Sequence, residues 1–200
     1  MMSERIYLNN DWKFAEQFEA SMTEAAYDDS VMQNVRLPHT CKETPLHYFD
    51  EHCYQMVSGY RRVIEAEEAW KGKKILLTID GAAHDSEVFL NGDKVGEHHC
   101  GYTAFTMDIS GVLRYGEKNI LVVKVDSRED LNIPPFGYVI DYMTYGGIYR
   151  DVYLDIKNKD YIEDIFIRTN IGQMDDQNAE LISEVTVQRT QEGLFLKQSL

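Results

Sequence analysis

A chain of 200 residues and 23.2 kDa that is 44% hydrophobic has room for one large domain, or one domain with a fragment of another, and its apolar content supports a packed core rather than disorder. With 34 Asp and Glu against 20 Lys and Arg, the net charge of -14 repels phosphate backbones and offers no counterion-release term, which excludes nucleic acid as a partner. The opening MMSERIYLNNDWKF carries charge early and lacks the apolar core of a signal peptide, and no later stretch reads as a bilayer span, so the expectation is a soluble protein with no membrane partner.

Cys41, Cys53 and Cys100 cannot all pair with one another, lack a CxxC spacing, and accompany no N-x-S/T acceptor. A reducing, cytoplasmic setting is the simplest expectation.

From the N-terminus, Trp12 and Phe14 suit a first strand, whereas Phe14, Phe18 and Met22 recur at helical spacing. A strand followed by an irregular excursion to about Tyr27 is expected. In KKILLTID, Ile75, Leu77 and Ile79 share one strand face and Leu76 and Thr78 the other. EVFLNGDKVG carries Asn91 and Gly92, both tolerant of the positive φ that a two-residue type I′ hairpin needs. DISGVLRYGEKN, with Ser110 as a cap and Gly116 as a stop, reads as one helical turn between strands. In NILVVKVD, Leu121, Val123 and Val125 form one row, with Lys124 opposite.

The pattern is all-β: short alternating strands broken by Gly, Asn and Asp, packed as two sheets. No repeat or low-complexity run interrupts residues 1–158. Residues 159–200 offer YIEDIFIRT and AELISEVTVQR, two strands that cannot complete a sandwich of their own. The expectation is a truncated second unit whose strands pack on the first domain or on a partner.

In order along the chain, LNNDWKF, VRLPHT, GYRRVI, IDGAAHDSEVFLNGDKVGEHHCGYTAFTMDIS, NILVVKVDS and DYMTYGGIYRDVYLDI form a distinctive series. It resembles the sugar-binding domain that opens the β-galactosidases, β-glucuronidases and β-mannosidases of glycoside hydrolase family 2, with the LNG turn, the GYxxF element and an acidic residue shortly before G-I-x-R-x-V. The resemblance implies a galactose-binding-like jelly-roll β-sandwich over residues 1–158, then the first strands of an immunoglobulin-like β-sandwich over residues 159–200. The resemblance further implies a TIM barrel with two catalytic glutamates, expected beyond this sequence. Such a chain is expected to recognise sugar and not to hydrolyse it.

Asp141 matches the acidic residue that family members send into the active-site mouth, where a carboxylate accepts hydrogen bonds from sugar hydroxyls. From spacing alone it reads more readily as an ordinary turn or capping aspartate. Tyr142 and Tyr145 flank the motif and have the ring chemistry to stack on a sugar, against the plainer reading of core packing. Gln55 falls about where some β-galactosidases carry an asparagine that helps hold galactose, a departure that puts galactose specificity in doubt. Arg150 reads as a structural fork, and Gly146 and Gly147 as a tight backbone path.

No catalytic pair is assigned, since retaining hydrolysis needs two opposed carboxyl groups about 5 Å apart. Asp28 with Asp29, Glu67 with Glu68, and Asp175 with Asp176 all lie in polar stretches and read as solvated charge. His98, His99 and Cys100 cannot converge on one ion from adjacent strand positions, and His39 and His52 are scattered, so neither metal nor cofactor is expected. The partners implied are a terminal β-glycoside, the catalytic barrel of the same protein, and a possible homo-oligomer. A stand-alone carbohydrate-binding module and a structural or assembly domain are the alternative readings.

Overall fold

The computed structural model describes residues 4–47, 50–137, 143–171, 179–189, 192–193 and 195–198. Their strands are, in chain order, β1 (Glu4–Tyr7), β2 (Trp12–Ala15), β3 (Gln33–Val35), β4 (Val57–Glu65), β5 (Lys74–Ile79), β6 (Ala82–Ala83), β7 (Asp85–Leu90), β8 (Asp93–His98), β9 (Phe105–Asp108), β10 (Lys118–Asp126), β11 (Gly147–Ile148), β12 (Val152–Lys157), β13 (Tyr161–Ile171) and β14 (Ala179–Gln188). Helical structure among the described residues is confined to short 3-10 turns, and none is long and apolar enough to cross a membrane.

One sheet runs β1-β12-β5-β9 and the other β3-β2-β4-β10-β7-β8, with every neighbouring pair antiparallel. The alternation in the sequence dictates what lies between them. Ile75, Leu77 and Ile79 of β5 join Val152, Leu154 and Ile156 of β12 in one buried cluster. Trp12 and Phe14 of β2, Tyr60 of β4, Val88 and Leu90 of β7, and Leu121, Val123 and Val125 of β10 enter the same cluster from the other sheet. This is a β-sandwich with a continuous core.

The excursion after β2 covers the outer face of the six-stranded sheet. Met22 and Met32 bury Val122 there, with Phe18, Phe89 and Ile120 packed at the margin. Val122 therefore breaks the alternation of β10 because both faces of that strand are covered. Buried Arg61 pins the excursion: Nε donates to the Met22 carbonyl at 3.2 Å, Nη2 to the Glu24 carbonyl at 3.4 Å, and Nη1 to the Asp29 carboxylate. Asp29 is thus a structural counter-ion rather than solvated charge, since a buried guanidinium needs every donor engaged.

Asn91 and Gly92 turn β7 into β8 with φ of 55° and 96°. The Asn91 side chain also ties the turn to β10, donating to Asn119 Oδ1 at 2.8 Å and accepting from the Ile120 amide at 3.0 Å. The turn after β9 is held by Leu113 N donating to Ile109 O at 3.1 Å, and Gly116 ends it at φ 73°. Its cap differs from expectation. Asp108 Oδ1 accepts from Ser110 N at 3.0 Å, while Ser110 Oγ instead accepts from Ile75 N on β5 at 2.8 Å.

β13 and β14 pair with each other as a separate two-stranded sheet. Neither buried cluster contains a residue from them. Ile165, Phe166 and Ile167 are 51%, 54% and 58% exposed. Of the expected packing on the first domain, the described residues show a cleft at the base of the pair, where Tyr161, Gln188 and Arg189 come together with Lys73 and Lys74.

Candidate functional site

Three chain segments meet at one end of the sandwich. His39 N donates to Ile148 O at 2.8 Å and Cys41 N to Gly146 O at 2.9 Å, while β11 pairs with β6 on its other side. The glycines make this junction possible. A Cβ at Gly146 would stand 2.3 Å from Ser127 Cβ and 2.8 Å from Cys41 Sγ; one at Gly147, whose φ is +113°, would stand 2.7 Å from both the His39 carbonyl and Tyr60 Oη. The tight path read from the sequence is a steric necessity.

That path presents Tyr145. The residue is 53% exposed, and its ring meets the ring of buried Tyr54 edge-on, with centroids 5.0 Å apart. The Tyr54 carbonyl in turn accepts from the Ser127 hydroxyl. Gln55 follows directly, ending the Glu51–Tyr54 turn with its amide bonded to His52 O at 2.9 Å, half-buried. The structure thus brings the Gln55 and Tyr145 segments together through Tyr54. Asp141 and Tyr142 lie outside the described residues, as do Asp175 and Asp176.

Beside Tyr145 opens a cleft of about 450 Å³, walled by Tyr102, Tyr145, Tyr149 and Met143, with Thr40, Thr144, His84 and Arg150 also lining it. The GYxxF and G-I-x-R elements, far apart in sequence, are bonded here. The Tyr149 hydroxyl donates to Gly101 O, and Arg150 Nη1 donates to Tyr102 O at 3.3 Å and Asp80 O at 3.5 Å. Arg150 is therefore the structural fork expected, directed at carbonyls, while the neighbouring Asp151 accepts from Asn9 Nδ2 at 2.8 Å.

His84 is the residue that sequence reasoning missed. It is only 3% exposed, its backbone amide donates to Asp126 O at 2.9 Å, and neither ring nitrogen has a partner among the described residues. Burial pushes its pKa down, against the opposing pull of Asp126. A neutral imidazole results, with one donor and one acceptor. An unpaired buried polar group costs about 1–3 kcal/mol, so such a ring is unusual in a packed core. The one trace in the sequence is a polar residue directly after Ala82 and Ala83.

The remaining candidates take ordinary roles. His98 stacks on Phe105 with centroids 4.5 Å apart and bonds Thr103, while His99 Nδ1 sits 2.7 Å from Asp85 Oδ1. His39 Nδ1 lies 2.9 Å from Tyr60 Oη. Asp28 caps Ser30 N, and Glu68 pairs with Lys71 on the surface. Among the described residues no cluster of His, Cys, Asp and Glu has the size to hold a metal ion. Cys41, Cys53 and Cys100 are free thiols.

The fold and this site define a class: an all-β sandwich with an aromatic-walled cleft beside the β6–β11 pair. The chain belongs to glycoside hydrolase family 2, for the family model "Glycosyl hydrolases family 2, sugar binding domain" matches residues 7–158. It is 39% identical over 183 residues to a beta-galactosidase of Thermoanaerobacter pseudethanolicus, covering 91% of this chain and 24% of that protein. It is 34% identical over 154 residues to a beta-glucuronidase of Bacteroides fragilis, covering 77% of this chain and 21% of that one. A solved beta-glycosidase from Bacteroides vulgatus superimposes with a TM-score of 0.78 at 26% identity, over 95% of this chain and 25% of its own. The chain spans about a quarter of the length of the relatives it matches.

Proposed function

We propose that the chain serves a retaining β-glycosidase of the β-galactosidase type as its N-terminal carbohydrate-recognising domain, supporting a catalytic TIM barrel and lending Asp141 to the terminal-sugar subsite. The observation that carries this is the 39% identity to a beta-galactosidase along 91% of the chain. Tyr145, exposed beside an aromatic cleft and four positions after Asp141 in the sequence, supplies a stacking surface. Gln55 contributes an amide from the adjoining turn.

In this reading residues 1–158 form a jelly-roll sandwich, and residues 159–200 begin an immunoglobulin-like sandwich whose remaining strands cover the exposed pair β13 and β14. Superposition over 95% of the chain, more than the 158 residues of the first domain, supports it. The free thiols fit a cytoplasmic setting. The apolar residues along β13 offer a surface for self-association in the absence of those strands.

A panel of aryl β-glycosides tests the proposal. The chain alone should release no aglycone. In a form that includes the barrel, Asp141→Ala should lower kcat/KM for the preferred glycoside by at least about tenfold. Turnover by the chain alone, or indifference to Asp141→Ala, overturns it.

A further inference from the structure

Where β13 and β14 leave the sandwich, the cleft at their base is lined by four cationic side chains against one carboxylate, in a chain whose net charge is -14. Lys73 and Lys74 come from the entry to β5, Lys159 from the segment that joins β12 to β13, and Arg189 from just past β14. Asp108, the carboxylate, is already engaged: it pairs with Lys74 and accepts from the Ser110 amide at 3.0 Å. Glu163, whose charge acts on both Tyr161 and Lys74, accepts from Gln188 Nε2 at 2.7 Å. Lys73, Lys159 and Arg189 have no side-chain partner among the described residues.

A fifth cation stands close by. Lys157 is directly opposite Lys74 in the β5–β12 register, with its Nζ 4.8 Å from the centre of the Tyr161 ring. Like charges directly opposed on a sheet repel. Positive charge is thus gathered on both sides of the place where the β13–β14 pair approaches the sandwich, and without a counter-ion it pushes the pair away.

The ligand that reverses this repulsion is compact and carries more than one negative charge. A long polyanion meets the field of the whole acidic chain, whereas a small anion feels mainly the charges within about 8 Å, the screening length at physiological salt. At about 290 Å³ the cleft lies at the small end of ligand sites. A single carboxylate leaves most of the surplus charge unmatched. A tetrahedral oxyanion presents oxygens in several directions, to the ammonium groups and to the fork of Arg189.

We propose that this cleft binds a phosphate-class dianion between Lys73 on the sandwich and Arg189 on the β13–β14 pair, and that the bound anion holds the pair against the sandwich. None of the residues assigned to carbohydrate takes part, so the proposed function and this site stand or fall separately.

The full chain is titrated with sodium phosphate, and in a second arm with glycerol phosphate, at about pH 7.5, where phosphate is mostly dianionic, against sodium chloride of matched ionic strength. NMR follows the Tyr161 amide and the Arg189 Nε–H, and hydrogen exchange follows β13 and β14. Phosphate should give saturable shifts at both groups that chloride does not. Half-saturation should rise at least about tenfold in the double variant Lys73→Gln, Arg189→Gln, whose two positions are not buried. At about ten times the half-saturating concentration, exchange in β13 and β14 should slow about tenfold, because the anion must leave before the pair moves off. Tighter binding of glycerol phosphate than of the free ion assigns the site to phosphate esters, and the reverse assigns it to inorganic phosphate. Shifts that grow linearly, or that match those in chloride, are screening alone and overturn the proposal, as does binding unchanged in the double variant. Saturation with unchanged exchange in β13 and β14 overturns it as well, since the anion then holds nothing in place.

Discussion

Gly146 leaves no room for a methyl group: the added carbon would lie 2.3 Å from Ser127 Cβ, inside a buried junction that has no flexible side-chain end to yield. Gly146→Ala should therefore destabilise the chain by about 3 kcal/mol, the upper range for forced overpacking, measured as a lower urea midpoint with unchanged slope. The same variant should displace the Tyr145 amide signal, since the glycine path sets that ring. Titration is also a residue-scale matter. Burial lowers the pKa of both His39 and His84 below the ordinary 6.5. Their contribution to stability is present above the unfolded value and is lost as pH falls through 6.5 toward the folded pKa, because the unfolded chain takes up those protons first. Glu87, held down by Lys124 and Lys94, acts only at lower pH. The urea midpoint should thus fall between about pH 7.5 and about pH 5.5, and fall less in His84→Gln, in equilibrium denaturation.

Among the elements, the β7–β8 hairpin is legible in the sequence because positive φ at Asn91 and Gly92 is a local chemical property. What the sequence hides is the second use of Asn91, whose side chain closes on Asn119 across a separation of 28 residues. Val122 is hidden for the same reason: the methionines that cover it come from an excursion whose helical spacing at Phe18 and Met22 yields only a 3-10 turn, Ala20–Thr23. The pairing of β13 with β14 is also readable, but its exposure is not, since alternation announces an apolar face and never says what covers it. With Ile165, Phe166 and Ile167 more than half exposed and both outer edges unpaired among the described residues, these strands depend only on each other. Their amides should exchange with solvent at least about a hundredfold faster than those of β10, which is paired on both sides, in a hydrogen-exchange experiment followed by mass spectrometry.

At the scale of the whole molecule, every buried cluster residue lies between Leu8 and Ile156. A chain ending at Asn158 should therefore unfold at the same free energy as the full chain to within about 0.5 kcal/mol, by urea titration of both, whereas a shift beyond that would reveal a core contribution from β13 and β14. The family could be read from motif order because LNG and G-I-x-R carry glycines, Gly92 and Gly147, that the backbone holds at positive φ. The cleft could not, because His84, Tyr102 and Tyr145 become neighbours only when the sheets close. Closure also has an order in time. β12 lies between β1 and β5, and Arg5 finds Asp155 150 residues away. A ribosome releasing this chain delivers the whole six-stranded sheet once Asp126 has emerged, but the opposing sheet lacks its second strand until Lys157 follows. For that interval β1 and β5 stand apart without the strand that joins them, and the gap leaves part of the inner face wet and available to chaperones or to other nascent chains.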